Sequence, residues 1–204
     1  MIHKSMSQWL TSAFFAGVLL GCAGPHKSEI AELNGVRDSL SAAQVQLASL
    51  PVDSLSATRT WALDALREFE VMLKDSGMTL TREEGLIVAE VTRAKRLLKD
   101  FPDRINRIDE SINRAQHQID GLIALLDSRA ATDGAGNPVD TAYIRENLIR
   151  ELRVGRDICA SVEETELYAR RGLEVKAGAV ASVDSLQTVL RARLATLVLN
   201  RTED

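Results

Sequence analysis

Apolar residues recur along most of this chain at alternating spacings of four and three. The clearest run is Ile87, Val91, Ala94, Leu98, Phe101, Ile105, Ile108, Ile112, Ala115, Ile119, Leu122 and Leu126. That spacing places every member on one helical face and, sustained over several heptads, forms a coiled-coil seam. Pro102 lies inside the run. A proline removes a backbone hydrogen bond and disfavours helical geometry at the preceding residue. A loop there would be expected to reset the phase, and the phase passes through intact. The pattern therefore predicts one kinked helix over about 81–131. It opens at Thr81 and Glu84, whose spacing is that of a capping box.

A similar pattern precedes it over about 28–75. Leu33, Leu40 and Leu47 share one seam position, and Val36, Ala43 and Leu50 the other. Pro51 interrupts, and the repeat resumes one residue out of phase with Leu55, Ala62 and Phe69 beside Ala65 and Met72. Gly77 is placed to end this stretch as a left-handed C-cap. After the second segment, Thr132 to Val139 reads as a loop. Its Asp133, Asn137 and Asp140 lack the alternating ligands, central glycine and closing glutamate of a calcium loop, so Asp140 is expected to be the N-cap of a third helix over about 140–200. That helix's seam reads Leu148, Leu152, Cys159, Val162, Ala169, Leu173, Val180, Val183, Leu190, Leu194 and Leu197. Acid-first pairs at i,i+4, such as Asp103/Arg107, Glu110/Arg114, Glu146/Arg150 and Glu166/Arg170, belong on solvated helix flanks.

Three long helices joined by short loops fold back on one another. The expected fold is all-α: an elongated, coiled-coil-like antiparallel bundle of three long helices. Folding about residue 78 brings Pro51 level with residue 105. Folding about residue 135 or 136 brings Pro102 level with residue 169, beside Gly172. A kink or break near Pro51, Pro102 and Gly172 follows at one height. The third seam weakens there too, with Glu166 and Lys176 on positions that elsewhere hold Leu or Val. Buried charges need partners, so Glu166 is expected to meet Arg104 or Arg107 as an interhelix ion pair. Leu86, Leu97, Ile123, Leu125, Ile149, Leu186 and Leu199 lie outside the main seams, available to a third-helix contact or a homo-oligomer.

Composition agrees with helices: 4 prolines, 12 glycines and few aromatics (4 Phe, 2 Trp, 2 Tyr) are too little for a sandwich or barrel. Trp9, Phe14 and Phe15 moreover fall in the first 21 residues, which follow a different plan. Lys4 precedes an apolar run from Trp9 to Leu20, shorter than the roughly 20 residues a spanning helix needs and built like a secretory signal peptide. The run ends in Leu19-Leu20-Gly21-Cys22, which resembles the lipobox of bacterial lipoproteins. The resemblance covers residues 1–22. It implies cleavage after residue 21, lipidation of Cys22, and a lipidated tether over 22–27 leading into the helical part at 28–204. Three acyl chains would make attachment to the membrane effectively permanent. Ala23 follows the family's sorting pattern for the outer membrane, facing the periplasm or the cell surface.

With 25 basic against 29 acidic side chains the formal net charge is −4, and losing Lys4 with the leader takes it to −5. Nucleic acid is not an expected partner. Cys22 being lipidated, Cys159 has no disulfide partner in its own chain and is expected to pack as an inert core thiol. His26 lies in the tether and His117 opposite the seam, so no histidine pair suggests a metal. No nucleophile elbow, phosphate loop or Glu-x-x-His repeat appears. Trp61 and Tyr168 flank the seams and are expected to pack on neighbouring helices. The chain ends in Thr202-Glu203-Asp204, without the C-terminal lysine through which small murein-linked lipoproteins attach to peptidoglycan. The expectation is thus no enzyme and no cofactor beyond covalent lipid. It is a membrane-anchored scaffold or adaptor in the cell envelope, engaging a protein partner or a second copy of itself. The alternative is a module that binds lipid or a small apolar molecule between helices near the weakened middle.

Overall fold

The computed structural model describes residues 26–74 and 76–202, the side chains as far as residue 200. The leader, Cys22 and its tether up to residue 25 lie outside the described residues. Those that are described form five helices: α1 (Lys27–Ala48), α2 (Val52–Leu73), α3 (Arg82–Leu97), α4 (Phe101–Ser128) and α5 (Thr141–Thr202). Their regular structure is helical apart from one isolated bridge between Thr132 and Pro138, in the loop before α5.

The expected three long helices are therefore five, and the first correction concerns Pro102. Residues 81–131 do not make one kinked helix. α3 stops at Leu97, and Asp100 turns the chain through the left-handed region (φ 52°) before α4 starts at Phe101 with Pro102 in its first turn. A proline at that point lacks an N–H that would be unpaired anyway. The connection is only three residues long, which is why the heptad phase survives the break. At Pro51 the chain breaks similarly: α1 ends at Ala48, Pro51 stands at the N-cap of α2, and the single-residue phase slip is absorbed in Ser49–Pro51. Gly172 marks no break, since α5 runs uninterrupted for 62 residues, about 93 Å at 1.5 Å per residue.

The capping box forms: Thr81 Oγ1 accepts from the Glu84 N–H (3.2 Å), and the Thr81 N–H donates to Glu84 Oε2 (2.8 Å). Asp140 caps α5, its Oδ1 accepting from the Tyr143 N–H at 2.8 Å. Gly77 is left-handed (φ 72°), yet α2 has already ended at Leu73, so Gly77 shapes the loop and not the helix end. There the Ser76 hydroxyl donates to the Leu73 carbonyl. Of the four i,i+4 pairs, Glu110–Arg114 forms at 3.6 Å. Arg150 turns instead to Glu151 and Asn147.

Helices α1 and α2 run along α5 in the same direction, with Val36 against Gly155 and Glu68 paired to Arg191. Helices α3 and α4 run against it, through Glu84–Arg193, Leu98 against Gly172, and Arg104 to Thr165. α1 meets α4 antiparallel, through Arg37–Asp120 (3.3 Å) and Gln44–Asp109 (2.9 Å). The core is divided along the length. One apolar cluster joins α1, α4 and the first half of α5; another joins α2, α3 and the second half; a third, smaller one lies between them.

The second correction concerns the face α5 buries. Its buried or half-buried stripe runs Ile144, Leu148, Glu151, Gly155, Ile158, Val162, Thr165, Ala169, Gly172, Lys176, Ala179, Val183, Leu186 and Leu190. One of the two seam positions lies one residue before the expected one, at Glu151, Ile158, Thr165, Gly172 and Ala179. The displaced residues Leu152, Cys159, Leu173 and Val180 are half-buried at its flank. A helix wedged between two others buries an arc wider than 100°, and the deepest line of that arc is where backbones come closest. Small residues stand there. A β-carbon on Gly172 would lie 2.7 Å from Leu98 Cδ2, and one on Gly155 would lie 2.3 Å from Val36 Cγ1.

Candidate functional site at the mid-bundle junction

Both helix breaks arrive at the same level of α5. Leu55, from the first turn of α2, packs with Leu98 and Phe101 of the α3–α4 break and with Ala169 of α5, and Leu50, Ile105 and Leu173 close around them. Leu98 is fully buried and projects onto the bare backbone of Gly172. The small volume of Ala169 and Gly172 is what lets two interrupted helices approach an uninterrupted one.

Arg104 stands one turn into α4, where Pro102 has set the start of the helix. Its Nε donates to Thr165 Oγ1 at 2.8 Å, and its guanidinium pairs with Glu164. The guanidinium carbon also lies 5.1 Å from the centre of the Tyr168 ring, within cation–π range. Tyr168 closes the circuit, its phenol donating to Glu164 Oε1 at 2.7 Å. The Thr165 hydroxyl, fully buried, donates in turn to the Ser161 carbonyl at 2.6 Å. The Tyr168 hydrogen bond, then that of Arg104 and its charge, hold the Glu164 carboxyl below its ordinary range; donating to Glu164 raises the Tyr168 phenol.

The expected partner of Arg104 was Glu166, and the structure places Glu164 there. Glu166 and Arg107 are both exposed, and neither enters an ion pair among the described residues. The cause is the one-residue shift of the α5 seam: Thr165 holds the buried position, which turns Glu166 outward and leaves Glu164 on the side facing α4. Lys176 does occupy a seam position, half-buried, with its ammonium 5.9 Å from the Trp61 ring centre. An indole face thus partners this seam cation in place of an acid.

Cys159 lies beside the buried stripe and not on it, half-buried in the groove between α1 and α5 near Leu152, Gly155 and Glu163. Burial, and then the Glu163 charge, push its thiol upward, which lowers the reactive thiolate fraction. His117 is exposed on α4. Asp133 satisfies its own loop: Oδ1 accepts from the Ala135 and Asn137 N–H groups and Oδ2 from the Asn137 side chain. Among the described residues, no three His, Cys, Asp or Glu side chains gather to hold a metal ion, and no helix is long and apolar enough to cross a membrane.

One residue escaped the sequence reading altogether. Glu151 is 2% exposed at a core position of α5, with Oε1 accepting from Arg150 Nε at 3.0 Å. Its other oxygen, Oε2, is buried without a hydrogen-bond partner among the described residues. The signal was available only through the correct seam, on which Glu151 follows Ile144 and Leu148.

No family model, curated protein sequence or solved structure matches this chain.

Proposed function

We propose that this chain is a non-catalytic helical scaffold or adaptor of the bacterial envelope. Lipid on Cys22 anchors it, in the outer membrane and facing the periplasm, and residues 28–204 form an elongated three-stranded bundle that acts as a spacer. The observation that carries the reading is the unbroken α5, about 93 Å long by its rise per residue, lined along its length by four shorter helices. Such a body is suited to hold two things apart, and the Leu19-Leu20-Gly21-Cys22 sequence supplies an attachment at one end. Val45, Val71, Leu86 and Ile149 are exposed apolar residues spread over several faces, where a partner protein or a second copy could dock.

The alternative, an apolar ligand held between helices near the middle, has less support. Leu55, Leu98, Phe101 and Ala169 occupy that level with their own side chains.

Fractionation of cells expressing Cys22→Ala tests the anchor: the variant is expected in the soluble envelope fraction and the wild type in the membrane fraction. Equal membrane association of both overturns it. Photo-crosslinking in cells from Val71 and Ile149 tests the adaptor role, with discrete crosslinked bands expected. Crosslinks to lipid alone would overturn it.

A further inference from the structure

The apolar interior of the bundle is unevenly filled. In the first half, where α1, α4 and the start of α5 meet, Leu33, Leu40, Ile112, Ile119 and Leu126 are fully buried. In the second half, where α2, α3 and the rest of α5 meet, Ala62, Ala65, Ala94 and Ala179 take inward positions beside Phe69 and Leu190. Alanine enters the first half too, at Ala43 and Ala115, but Leu and Ile outnumber it there. Hydrophobic stabilisation scales with the apolar area removed from water. The alanine-rich half is therefore held less firmly than the half built on leucine and isoleucine.

Polar links between helices divide in the same way. In the first half Gln44 reaches Asp109 and Asn113, Gln116 reaches Ser41, and Arg37 pairs with Asp120. Arg104, bound to Thr165 and Glu164, closes this series at the junction and fastens α5 to α4 there. In the second half the interhelix ion pairs, Glu68–Arg191 and Glu84–Arg193, lie toward the far tip with their arginines exposed, where such pairs contribute little. Lys176 against the Trp61 ring lies between them and the junction.

The backbone divides at that level as well. α2 and α3 form a helical hairpin, joined to the first half through Ser49–Pro51 on one side and Leu98–Asp100 on the other. Both connections meet α5 near Ala169. Neither is a continuous helix, and Asp100 holds a left-handed backbone (φ 52°) that a residue other than glycine adopts at a cost. The hairpin can turn away from α5 about these two points with no helix broken. Beyond the junction α5 packs on this hairpin, and a helix stripped of its packing is marginal in water. We infer that the second half is a separately opening unit. The α2–α3 hairpin, hinged at Ser49–Pro51 and Leu98–Asp100, leaves α5 and bares the apolar face around Phe69 and Val91 while the first half stays folded. This device is independent of the anchor at Cys22.

Native-state hydrogen exchange of the full chain, in detergent micelles and low urea, reads each half by its own amides. Ala65 of α2 and Val91 of α3 report the hairpin, and Ile112 and Ile119 the first half. After correction for intrinsic rates, Ala65 and Val91 are expected to exchange at least about tenfold faster than Ile112 and Ile119. They should do so through one shared opening, whose urea dependence is smaller than that of global unfolding because less surface is exposed. Ile112→Val, a deletion mild enough to leave the fold intact, is expected to speed exchange at Ile119 about fivefold and to leave Ala65 and Val91 unchanged. A common protection and urea dependence in both halves, earlier opening of the first half, or an Ile112→Val effect equal at all four amides overturns the inference.

Discussion

Gly172→Ala isolates the claim that α5 is notched to admit its neighbours. Two opposed effects are at work. Alanine in place of glycine within a helix is worth about 1 kcal/mol through propensity and a less flexible unfolded chain. Against that, the new methyl would lie 2.7, 2.8 and 3.0 Å from three atoms of Leu98, a fully buried side chain that has no solvent to move into. Overpacking of that kind costs about 1–3 kcal/mol. Gly178 provides the control in the same helix: it is exposed, and a β-carbon there would meet nothing within 4 Å. Gly178→Ala should therefore stabilise by up to about 1 kcal/mol, while Gly172→Ala should destabilise by about 1 kcal/mol net. The two single-methyl variants would differ by about 2 kcal/mol, roughly 30-fold in the unfolding equilibrium. Urea unfolding followed by circular dichroism reads the difference as a shift in midpoint at constant slope. Adding Leu98→Ala should make Gly172→Ala stabilising, because the clash leaves with the leucine. Equal stability of Gly172→Ala and Gly178→Ala would refute the notch, as would a Gly172→Ala cost that persists beside Leu98→Ala.

Two further measurements probe neighbouring features. Hydrogen bonding depresses the Glu164 carboxyl in the folded chain, so its contribution is fully present above the ordinary value of 4.5 and is lost as pH falls through the lowered one. An NMR titration of the Glu164 carboxyl carbon should show a midpoint below 4.5, moving back toward it in Tyr168→Phe, where the leading hydrogen bond is absent. Cys159, its thiol raised by burial and by Glu163, should alkylate with iodoacetamide more slowly at pH 8 than a free cysteine, and Glu163→Gln should recover part of the rate.

How far the sequence was legible depended on which segment was read. In α3 and α4 every expected seam residue from Ile87 to Leu126 is buried or half-buried, because that face carries Ile, Leu, Val, Ala and Phe throughout and hydrophobicity marks it unambiguously. Chain reversals were legible through their local chemistry, as at the Thr81–Glu84 capping box and the Asp140 cap. The interruption at Pro51 was legible through its phase slip, but the break at Pro102 was not. Periodicity measures only phase, and a three-residue turn through left-handed Asp100 conserves phase as well as a continuous helix does. In α5 the reading slipped by one residue on one seam position, since its deepest line holds Glu151, Thr165 and Gly172 while Leu152 and Leu173 stand beside it. The candidate site inherited that slip, which is why Glu166 was expected where Glu164 and Thr165 meet Arg104. Cys22 lies outside the described residues and rests on its resemblance alone.

The slip has a physical lesson for bundles in which one helix serves two neighbours. Hydrophobic ranking finds the residues that cover the most area, and those sit at the edges of the contact, where there is room for a leucine. The centre of the contact selects instead for small volume, as at Gly155, Ala169 and Gly172, or for polar groups that can be satisfied there, as Thr165 is by Arg104 and Ser161. Glu151 stands on that same central line, and half of its carboxylate has no such partner. A residue that breaks the rule followed by its neighbours along the seam needs a reason of its own. Part of that reason is Arg150, whose Nε donates to Oε1 at 3.0 Å from the exposed side of the same helix, so the carboxylate is held at the edge of the core by a cation of its own chain.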